Sequence, residues 1–345
     1  KLGELEANAT SAHALYQTYL DRLKQTQQRA GLETPDVRLV SPAPVPLSPA
    51  SPKRMIIIGG AALVSLVLGF LAALMRDRMC NGFRSVRELE ATLGLPVLAT
   101  VPEVKVRRGA LRDVSMQVVR KPHSEFAEAF RGLEIGLTRH QDRSGDVTVG
   151  KAILVTSALP SEGKTSTTVN LGRRLAAAGH RVVIVDADQK RPRVANALGL
   201  RSARYDLADC LARRCTLDDA LVPDPCSSLL ALPANCSEDS ELIGSQAMAS
   251  LIGRLRQVAD YVLIDSPPVL AVHDSKLLGG MADETIFVVR WGTTPREAVS
   301  QAVKSLREFH VRIVGAALAR ADAKQYSYYA FGYGRVPALA SYYKG

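Results

Sequence analysis

The sequence has few of the residues that build metal centres or disulfides. Its 345 residues include five cysteines, none of which forms a C-x-x-C pair, and six histidines without an H-x-x-x-H spacing. Nothing therefore supports zinc, and the one metal we expect is magnesium carried with a nucleotide. An odd number of cysteines cannot all pair within one chain, so we predict free thiols in a reducing compartment.

The chain carries a net positive charge. Lys and Arg number 44 against 34 Asp and Glu, which gives a net charge of +10 and favours acidic partners such as phosphates, nucleic acid or anionic lipid. The basic residues are scattered and belong to no recognition motif, so a nucleic-acid partner is not expected. A hydrophobic content of 47 % is enough for a proper core and excludes wholesale disorder.

The N-terminal part has a helical pattern followed by prolines. The chain opens with Lys1 and lacks a signal pattern, so we interpret it as a piece of a longer protein. Residues 1–30 carry an apolar stripe at steps of three and four, which indicates either the end of a coiled coil or one amphipathic helix lying on its own domain. Residues 31–54 contain a proline-rich stretch that predicts an extended linker.

Residues 55–75 lack any charged side chain. As a helix this segment spans roughly 31 Å, enough to cross a membrane, whereas a buried core helix is the alternative. Arg76 and Arg78 open a basic stretch after it, and this flank predicts that residues 76–345 are cytoplasmic and residues 1–54 lie on the opposite side of the membrane.

The segment after the membrane helix is basic. Residues 76–120 hold nine Arg and Lys against five Asp and Glu, which predicts a connector that lies against anionic head groups or, alternatively, a solvated charged face.

Residues 121–320 are predicted to form an α/β domain. Helical stretches at 164–178, 246–258 and 295–309 alternate with apolar runs at 152–156, 182–185, 229–232, 261–264, 285–289 and 313–317. Continuous apolar strands between helices favour a mainly parallel, doubly wound sheet covered on both faces.

A phosphate-binding loop follows the first of these strands. Residues 158–165 read A-L-P-S-E-G-K-T, which matches G-x-x-x-x-G-K-[ST] except for Ala158 at the first Gly position. Lys164 can reach the β- and γ-phosphates, Thr165 can hold Mg²⁺, and the loop amides with the following helix N-terminus can cradle phosphate oxygens. The predicted nucleotide-binding residues are Pro160, Ser161, Glu162, Gly163, Lys164, Thr165 and Ser166.

Carboxylates end two later strands. Asp186 and Asp188 follow one strand, and Asp265 follows another. The carboxyl ends of parallel strands face the same crevice as the P-loop, so these side chains can reach Mg²⁺ or the attacking group. Each one alone could instead be a helix cap or a turn residue.

Tyrosines are concentrated at the C-terminus. Interleaved with Ser, Gly and Lys, they cannot bury themselves, so residues 321–345 are predicted to form an exposed flexible tail. Stacking on RNA bases is an alternative that the few cations make weaker than phosphorylation chemistry. The predicted phosphoacceptors are Tyr326, Tyr328, Tyr329, Tyr333, Tyr342 and Tyr343.

Taken together, these segments resemble the bacterial tyrosine autokinases fused to polysaccharide co-polymerases, also called chain-length determinant proteins. The resemblance runs nearly end to end and includes residues 93–102, the P-loop, Asp186-Ala187-Asp188, Asp265-Ser266-Pro267-Pro268 and the tyrosine cluster. It implies a P-loop NTPase kinase domain behind an inner-membrane helix, with residues 1–52 as the returning end of a helical periplasmic domain.

The resemblance also implies roles for particular residues. Lys164 and Thr165 would bind ATP and Mg²⁺, Asp186 with Asp188 would activate the tyrosine hydroxyl and position the metal, and Asp265 would be the Walker B carboxylate. The family phosphorylates its tyrosine cluster in trans within a ring of subunits. A phosphatase reverses the modification, and the cycle controls polysaccharide polymerisation, chain length and export.

The chain departs from the family pattern at several positions. Lys190 stands where the family has Arg, and Ala195 where His is expected. The subunit-contact motif Glu-x-x-Arg-x-x-Arg keeps Glu128 and Arg131 but ends in Glu134, which puts the ring contacts in doubt. These departures leave open a catalytically weak nucleotide-binding scaffold. A ParA/MinD-like partitioning ATPase, which shares the sheet and the P-loop, is a second alternative. Such ATPases usually have another P-loop Lys at the position of Leu159.

Overall fold

The computed structural model describes residues 2–31, 51–79, 82–104, 111–141, 149–200, 203–236 and 242–322. The chain divides into two compact units, one up to Phe70 and the other from Leu71 onward.

The described part of the first unit is helical. Helix α1 is Leu2–Ala30, and its Leu and Tyr side chains from Leu5 to Leu23 are exposed. Helix α2 is Arg54–Met79, which contains the predicted segment 55–75. Within the described residues, Arg54–Met75 is the one stretch of helix long and apolar enough to cross a membrane, and it buries none of its surface against protein. An apolar helix that is exposed on every side is typical of a lipid-facing span.

The second unit is built on an eight-stranded sheet within the described residues. Its strands are β1 (Val97–Pro102), β2 (Lys151–Ser157), β3 (Val182–Asp186), β4 (Val222–Pro223), β5 (Leu230–Leu232), β6 (Tyr261–Asp265), β7 (Glu284–Arg290) and β8 (Ile313–Ala321). Their order across the sheet is β1-β8-β7-β2-β6-β3-β5-β4. Neighbours are parallel except β4, which pairs antiparallel with β5.

Helices of the second unit connect these strands. They are α3 (Val86–Leu93), α4 (Leu111–Ser115), α5 (Gln117–Arg120), α6 (Glu125–Gln141), α7 (Lys164–Ala177), α8 (Val194–Leu198), α9 (Leu207–Leu211), α10 (Leu217–Ala220), α11 (Gln246–Val258), α12 (Asp274–Met281) and α13 (Arg296–Glu308).

The sheet is buried on both faces, as its apolar strands predict. In β2, Ile153 and Val155 pack into one core with side chains of α6 and α7, whereas Ala152 and Leu154 pack into a second core with side chains of α11. A third core joins α3 and α13 to β7 and β8. Strand side chains alternate between faces, so a strand covered on both sides needs an unbroken apolar sequence.

The α/β fold and the mainly parallel sheet are confirmed. The six predicted strands correspond to β2, β3 and β5 to β8, and the three predicted helices correspond to α7, α11 and α13.

The connector predicted over residues 76–120 is folded into the sheet for much of its length. Strand β1 lies beside β8, with Ala99 opposite Ala317 and Val101 opposite Ala319. Helix α3 packs on β1 and α13, and Ser85 caps its first turn by accepting a hydrogen bond from the Glu88 amide. Contacts with the sheet therefore begin before residue 121, whereas Arg87, Arg112 and Arg120 of this stretch remain exposed.

A buried ion pair fastens helix α7 to the chain after β4. Both side chains of Arg173 and Asp224 are fully buried, and the guanidinium donates Nε and Nη2 to the carboxylate at 2.9 and 2.7 Å. Arg173 also donates to the carbonyl of Ser115 at 2.7 Å, and Ser227 donates to Asp224 at 2.6 Å. The guanidinium of Arg173 and the carboxylate of Asp224 both have hydrogen-bond partners, so neither charge is left unpaired in the interior.

We expect Asp224→Asn to lower the free energy of unfolding by about 3–5 kcal/mol, because it leaves the Arg173 charge buried without a counterion. Urea unfolding of the detergent-solubilised chain, followed by the fluorescence of its single tryptophan, Trp291, measures the change. The matched control is Asp260→Asn, which breaks the exposed pair with Arg181 and should cost less than about 1 kcal/mol. Equal losses in both variants would contradict this account.

Candidate functional site

The P-loop lies between β2, which ends at Ser157, and α7, which begins at Lys164. Ser161 has φ 66° and Gly163 has φ 104°, both in the left-handed region. A glycine adopts this backbone readily, whereas a serine needs support from its surroundings. The turn brings the loop onto the N-terminus of α7, where backbone amides and the helix dipole favour an anion.

Asp265 holds the start of α7 from the neighbouring strand β6. The hydroxyl of Thr165 donates to the carboxylate at 2.7 Å, and the hydroxyl of Thr168 donates to its other oxygen at 3.3 Å. Burial raises the pKa of Asp265 to about 6, although the nearby Lys164 and the Thr165 hydroxyl oppose the shift. Lys164 itself is 7 % exposed. The result is a buried group of hydroxyl, carboxylate and ammonium at the end of the P-loop.

Asp186 lies opposite Asp265 in the β3–β6 pairing and is fully buried. Its carboxylate accepts hydrogen bonds from the amides of Arg193 and Val194 at 3.0 and 2.9 Å and from the amide of Asp188 at 3.3 Å. Burial, with the negative charge of Asp265 next, raises its pKa well above the usual range. Asp186 thus organises the turn that carries Asp188.

A cavity of about 290 Å³ opens in front of the P-loop. Basic side chains lie along part of its wall, and Pro267, Pro268, Ala271 and Val272 form an apolar part. Its lining residues are Leu111, Pro160, Ser161, Gly163, Lys164, Thr165, Ser166, Asp188, Lys190, Arg191, Arg193, Pro267, Pro268, Ala271, Val272 and Arg320. A polyanion with a flat ring is the kind of ligand that such a wall accommodates.

The structure separates the predicted site residues into two groups. The P-loop residues other than Glu162 line the cavity, together with Asp188. Glu162, Asp186 and Asp265 do not line it. Asp186 and Asp265 accept hydrogen bonds from residues that do, whereas Glu162 accepts hydrogen bonds from Leu159 and Thr294, which do not. Sequence reasoning missed Arg193 and Arg320 as lining residues. Arg193 follows closely on the Asp188 turn and could have been noticed, whereas Arg320 arrives from β8 and had no sequence signal.

The departure at Glu134 has a partner within the chain. Its carboxylate accepts a hydrogen bond from Arg174 of α7 at 2.8 Å, which ties α6 to α7. Glu128 and Arg131 form an ion pair at 3.5 Å on the exposed side of α6. The proposed subunit contact therefore retains two surface residues, while Glu134 is engaged in packing.

The site suits a nucleotide with Mg²⁺ by the chemistry of its donors. The P-loop amides and Lys164 provide for phosphates, and Thr165 and Asp265 supply the hydroxyl and carboxylate oxygens that this ion prefers. No group of three or more His, Cys, Asp or Glu side chains among the described residues could hold a metal alone. The predicted phosphoacceptor tyrosines, Tyr326 to Tyr343, lie outside the described residues.

The parallel sheet, the strand–loop–helix P-loop and the carboxylate on the neighbouring strand define a P-loop nucleotide-binding protein. Residues 151–316 match the model of an AAA domain, and residues 2–78 match a G-rich domain on putative tyrosine kinase. Together with the relatives below, these matches show that the chain is similar to the bacterial tyrosine kinases of exopolysaccharide biosynthesis. The N-terminal match favours this family over the partitioning ATPases.

Two curated relatives are each 29 % identical to the chain. They are the succinoglycan biosynthesis transport protein ExoP of Rhizobium meliloti, over 95 % of this chain and 45 % of its own length, and the putative tyrosine-protein kinase EpsB of Ralstonia nicotianae, over 93 % and 43 %. The chain thus spans about half the length of the curated relatives it matches. The G-rich domain, the apolar helix and these relatives indicate an inner-membrane protein.

Two solved structures resemble the chain over about two thirds of its length. The chimerical protein CapA2B2 is 25 % identical with a TM-score of 0.62, over 69 % of this chain and all of that one. The BceF tyrosine kinase domain is 26 % identical with a TM-score of 0.57, over 69 % of this chain and 98 % of that one.

Thr165→Val should weaken binding of ADP in the presence of Mg²⁺ by about 10-fold or more, because it removes the hydroxyl that Asp265 orients and that suits the metal. With EDTA the variant and the wild type should differ little, since the phosphates still meet Lys164 and the loop amides. Titration with a fluorescent ADP analogue measures both affinities, and Thr165→Ser is the conservative control. A loss of the same size with and without Mg²⁺ would argue against a metal role for Thr165.

Asp186→Ala should lower the stability of the protein more than Asp188→Ala does. The first leaves buried amides without their acceptor, so we expect it to lower the free energy of unfolding by about 2 kcal/mol or more. The second removes a side chain at the cavity wall, where water can replace its hydrogen bond to the Arg191 amide, so stability should change by less than about 1 kcal/mol. Urea unfolding of each variant provides the comparison, and the reverse order of stability would refute these roles.

Proposed function

We propose that the chain belongs to an inner-membrane protein-tyrosine autokinase that uses Mg-ATP to phosphorylate the tyrosines clustered from Tyr326 onward. The observation that carries the proposal is the cavity in which Lys164, Thr165 and Asp188 converge, with Arg320 from the last strand at the same wall. The chain continues from that strand to the tyrosine cluster that begins at Tyr326.

The degree of burial distinguishes the roles of the residues in the site. Lys164 and the P-loop amides bind the phosphates and hold them in line for transfer. A bound Mg²⁺ would neutralise charge on the transferred group, and Thr165 with Asp265 would hold it. Asp188 is the carboxylate at the cavity wall, and burial raises its pKa while Lys164 opposes the shift. We propose that Asp188 accepts the proton of the attacking tyrosine hydroxyl and that Asp186 positions Asp188.

Phosphorylation in trans, within a homo-oligomeric ring, is the second part of the proposal. Tyr326 lies six residues beyond Arg320, and an extended chain of that length reaches about 20 Å. Tether length therefore does not prevent a tail tyrosine from approaching its own cavity. The proposal that transfer occurs between subunits is supported by the family resemblance and by the exposed Glu128–Arg131 pair on α6.

We further propose that the modification cycle regulates exopolysaccharide or capsule polymerisation, chain length and export, with a cognate phosphatase reversing it. The polymerase and export machinery would be the partners. We place residues 1–54 in the periplasm and residues 76–345 in the cytoplasm, since the basic residues follow α2 and a P-loop needs cellular ATP. The relatives supporting this include a protein named for succinoglycan biosynthesis transport.

Incubation of the purified chain in detergent with Mg-ATP should produce phosphotyrosine, detected by antibody and located by mass spectrometry. Lys164→Met should abolish the signal because the phosphates lose their ammonium partner, and truncation before Tyr326 should remove the acceptors. A mixture of Lys164→Met with the active truncated chain tests transfer in trans, which predicts signal on the longer chain.

The outcomes of this experiment have distinct meanings. Nucleotide binding without phosphotyrosine would refute the kinase and leave the nucleotide-binding scaffold. Signal in the wild type but not in the mixture would retain the kinase and refute transfer in trans.

A further inference from the structure

The P-loop contains a carboxylate that faces away from the cavity. Glu162 lies two residues before Lys164, is 2 % exposed and is absent from the cavity wall. It accepts a hydrogen bond from the amide of Leu159 at 2.6 Å and another from the hydroxyl of Thr294. Burial raises the pKa of Glu162, whereas these hydrogen bonds, with further ones from the Ser157 side chain and the Arg290 backbone, lower it. A buried carboxylate is costly and needs such donors.

Glu162 stands between the two loop residues that have left-handed backbone conformations, of which Ser161 is the strained one. Ser161 and Gly163, its neighbours on either side, both have left-handed φ angles and both line the cavity. A serine in this conformation is strained, so the loop adopts it only where other contacts maintain it. The hydrogen bonds that Glu162 accepts from Leu159 and Thr294 can maintain the conformation of Ser161.

The donor Thr294 belongs to a loop that is itself held in place. This loop, residues 291–295, follows β7, and the Trp291 amide donates to the carbonyl of Ala319 at 2.9 Å. The Gly292 amide donates to the carbonyl of Phe83 at 2.8 Å. Gly82 packs so closely on the same loop that a Cβ there would lie 2.3 Å from the Gly292 carbonyl carbon. Thr294 is therefore presented to Glu162 from a fixed backbone.

We propose that Glu162 and Thr294 are positioning residues for phosphate binding, in which the Thr294 hydroxyl fixes the Glu162 carboxylate and the carboxylate fixes Ser161 and Gly163 at the cavity. Neither side chain touches the nucleotide. The inference rests on the proposed function of the cavity as an ATP site, and it adds to the phosphate-binding motif a residue 132 positions after Glu162 in the sequence.

The test compares a pair of threonine variants with a buried control. Thr294→Val keeps the shape of the side chain but removes its hydroxyl, and we expect the dissociation constant of a fluorescent ADP analogue with Mg²⁺ to rise about 10-fold. Thr294→Ser restores the donor and should stay within about 3-fold of the wild type. The control is Thr285→Val on β7, where the buried hydroxyl has no hydrogen-bond partner, and its affinity should not change.

A second variant keeps the test decisive if Thr294→Val folds poorly. Glu162→Met keeps much of the size of the side chain and removes both acceptor oxygens, so neither the Leu159 amide nor the Thr294 hydroxyl keeps its partner. We expect weaker ADP binding, and Thr294→Val introduced into this background should cost less affinity than it does in the wild type, because both changes break the same link. All variants are measured as full chains in detergent, and thermal unfolding without nucleotide checks that each is folded.

Each result has a definite meaning. An unchanged affinity in folded Thr294→Val, or an equal loss in Thr285→Val, would overturn the positioning role while leaving the nucleotide site intact. Additive losses in the double variant would do the same. Absence of ADP binding in the wild type would instead overturn the proposed function, and the inference with it.

Discussion

Parallel pairing of β2, β3 and β6 is the constraint on which the site depends. Hydrogen bonding in register places Asp265 beside Val155 and opposite Asp186, so the carboxyl ends of three strands meet at one edge. The P-loop can form only where such an edge is available, because its helix must begin next to a carboxylate that orients the first hydroxyl. Residues 151–316 thus contribute to one site although they are far apart in sequence.

Buried charge is concentrated in this unit, and each instance has its own compensation. Arg173 and Asp224 neutralise each other, and Glu162 and Asp186 are stabilised by amides and a hydroxyl. Asp265 has two hydroxyl donors and the nearby ammonium of Lys164. Such groups contribute little net stability, because desolvation offsets much of the attraction. Their benefit is that one arrangement of the loops satisfies them all, which keeps the cavity shaped before a ligand arrives.

Sequence reasoning located what depends on local pattern and missed what depends on tertiary contacts. Strand β2 and helix α7 were predictable because a long apolar run, a glycine-rich turn and a helical stretch follow one another directly. Strand β1 was missed because it is an edge strand, mostly half-buried, in a stretch rich in Arg and Lys. The Thr294–Glu162 and Arg174–Glu134 contacts join positions that no periodicity relates, so only the folded chain brings them together.

Strand β8 ends at the wall of the cavity, and this determines how a modified tail would behave in the proposed kinase. A phosphotyrosine on the tail is a product that cannot diffuse away, because it remains attached a few residues from Arg320. Tethering over such a distance maintains a local concentration on the order of millimolar. The tail would then compete with fresh acceptors for the basic wall, so the extent of modification would limit itself without any other protein.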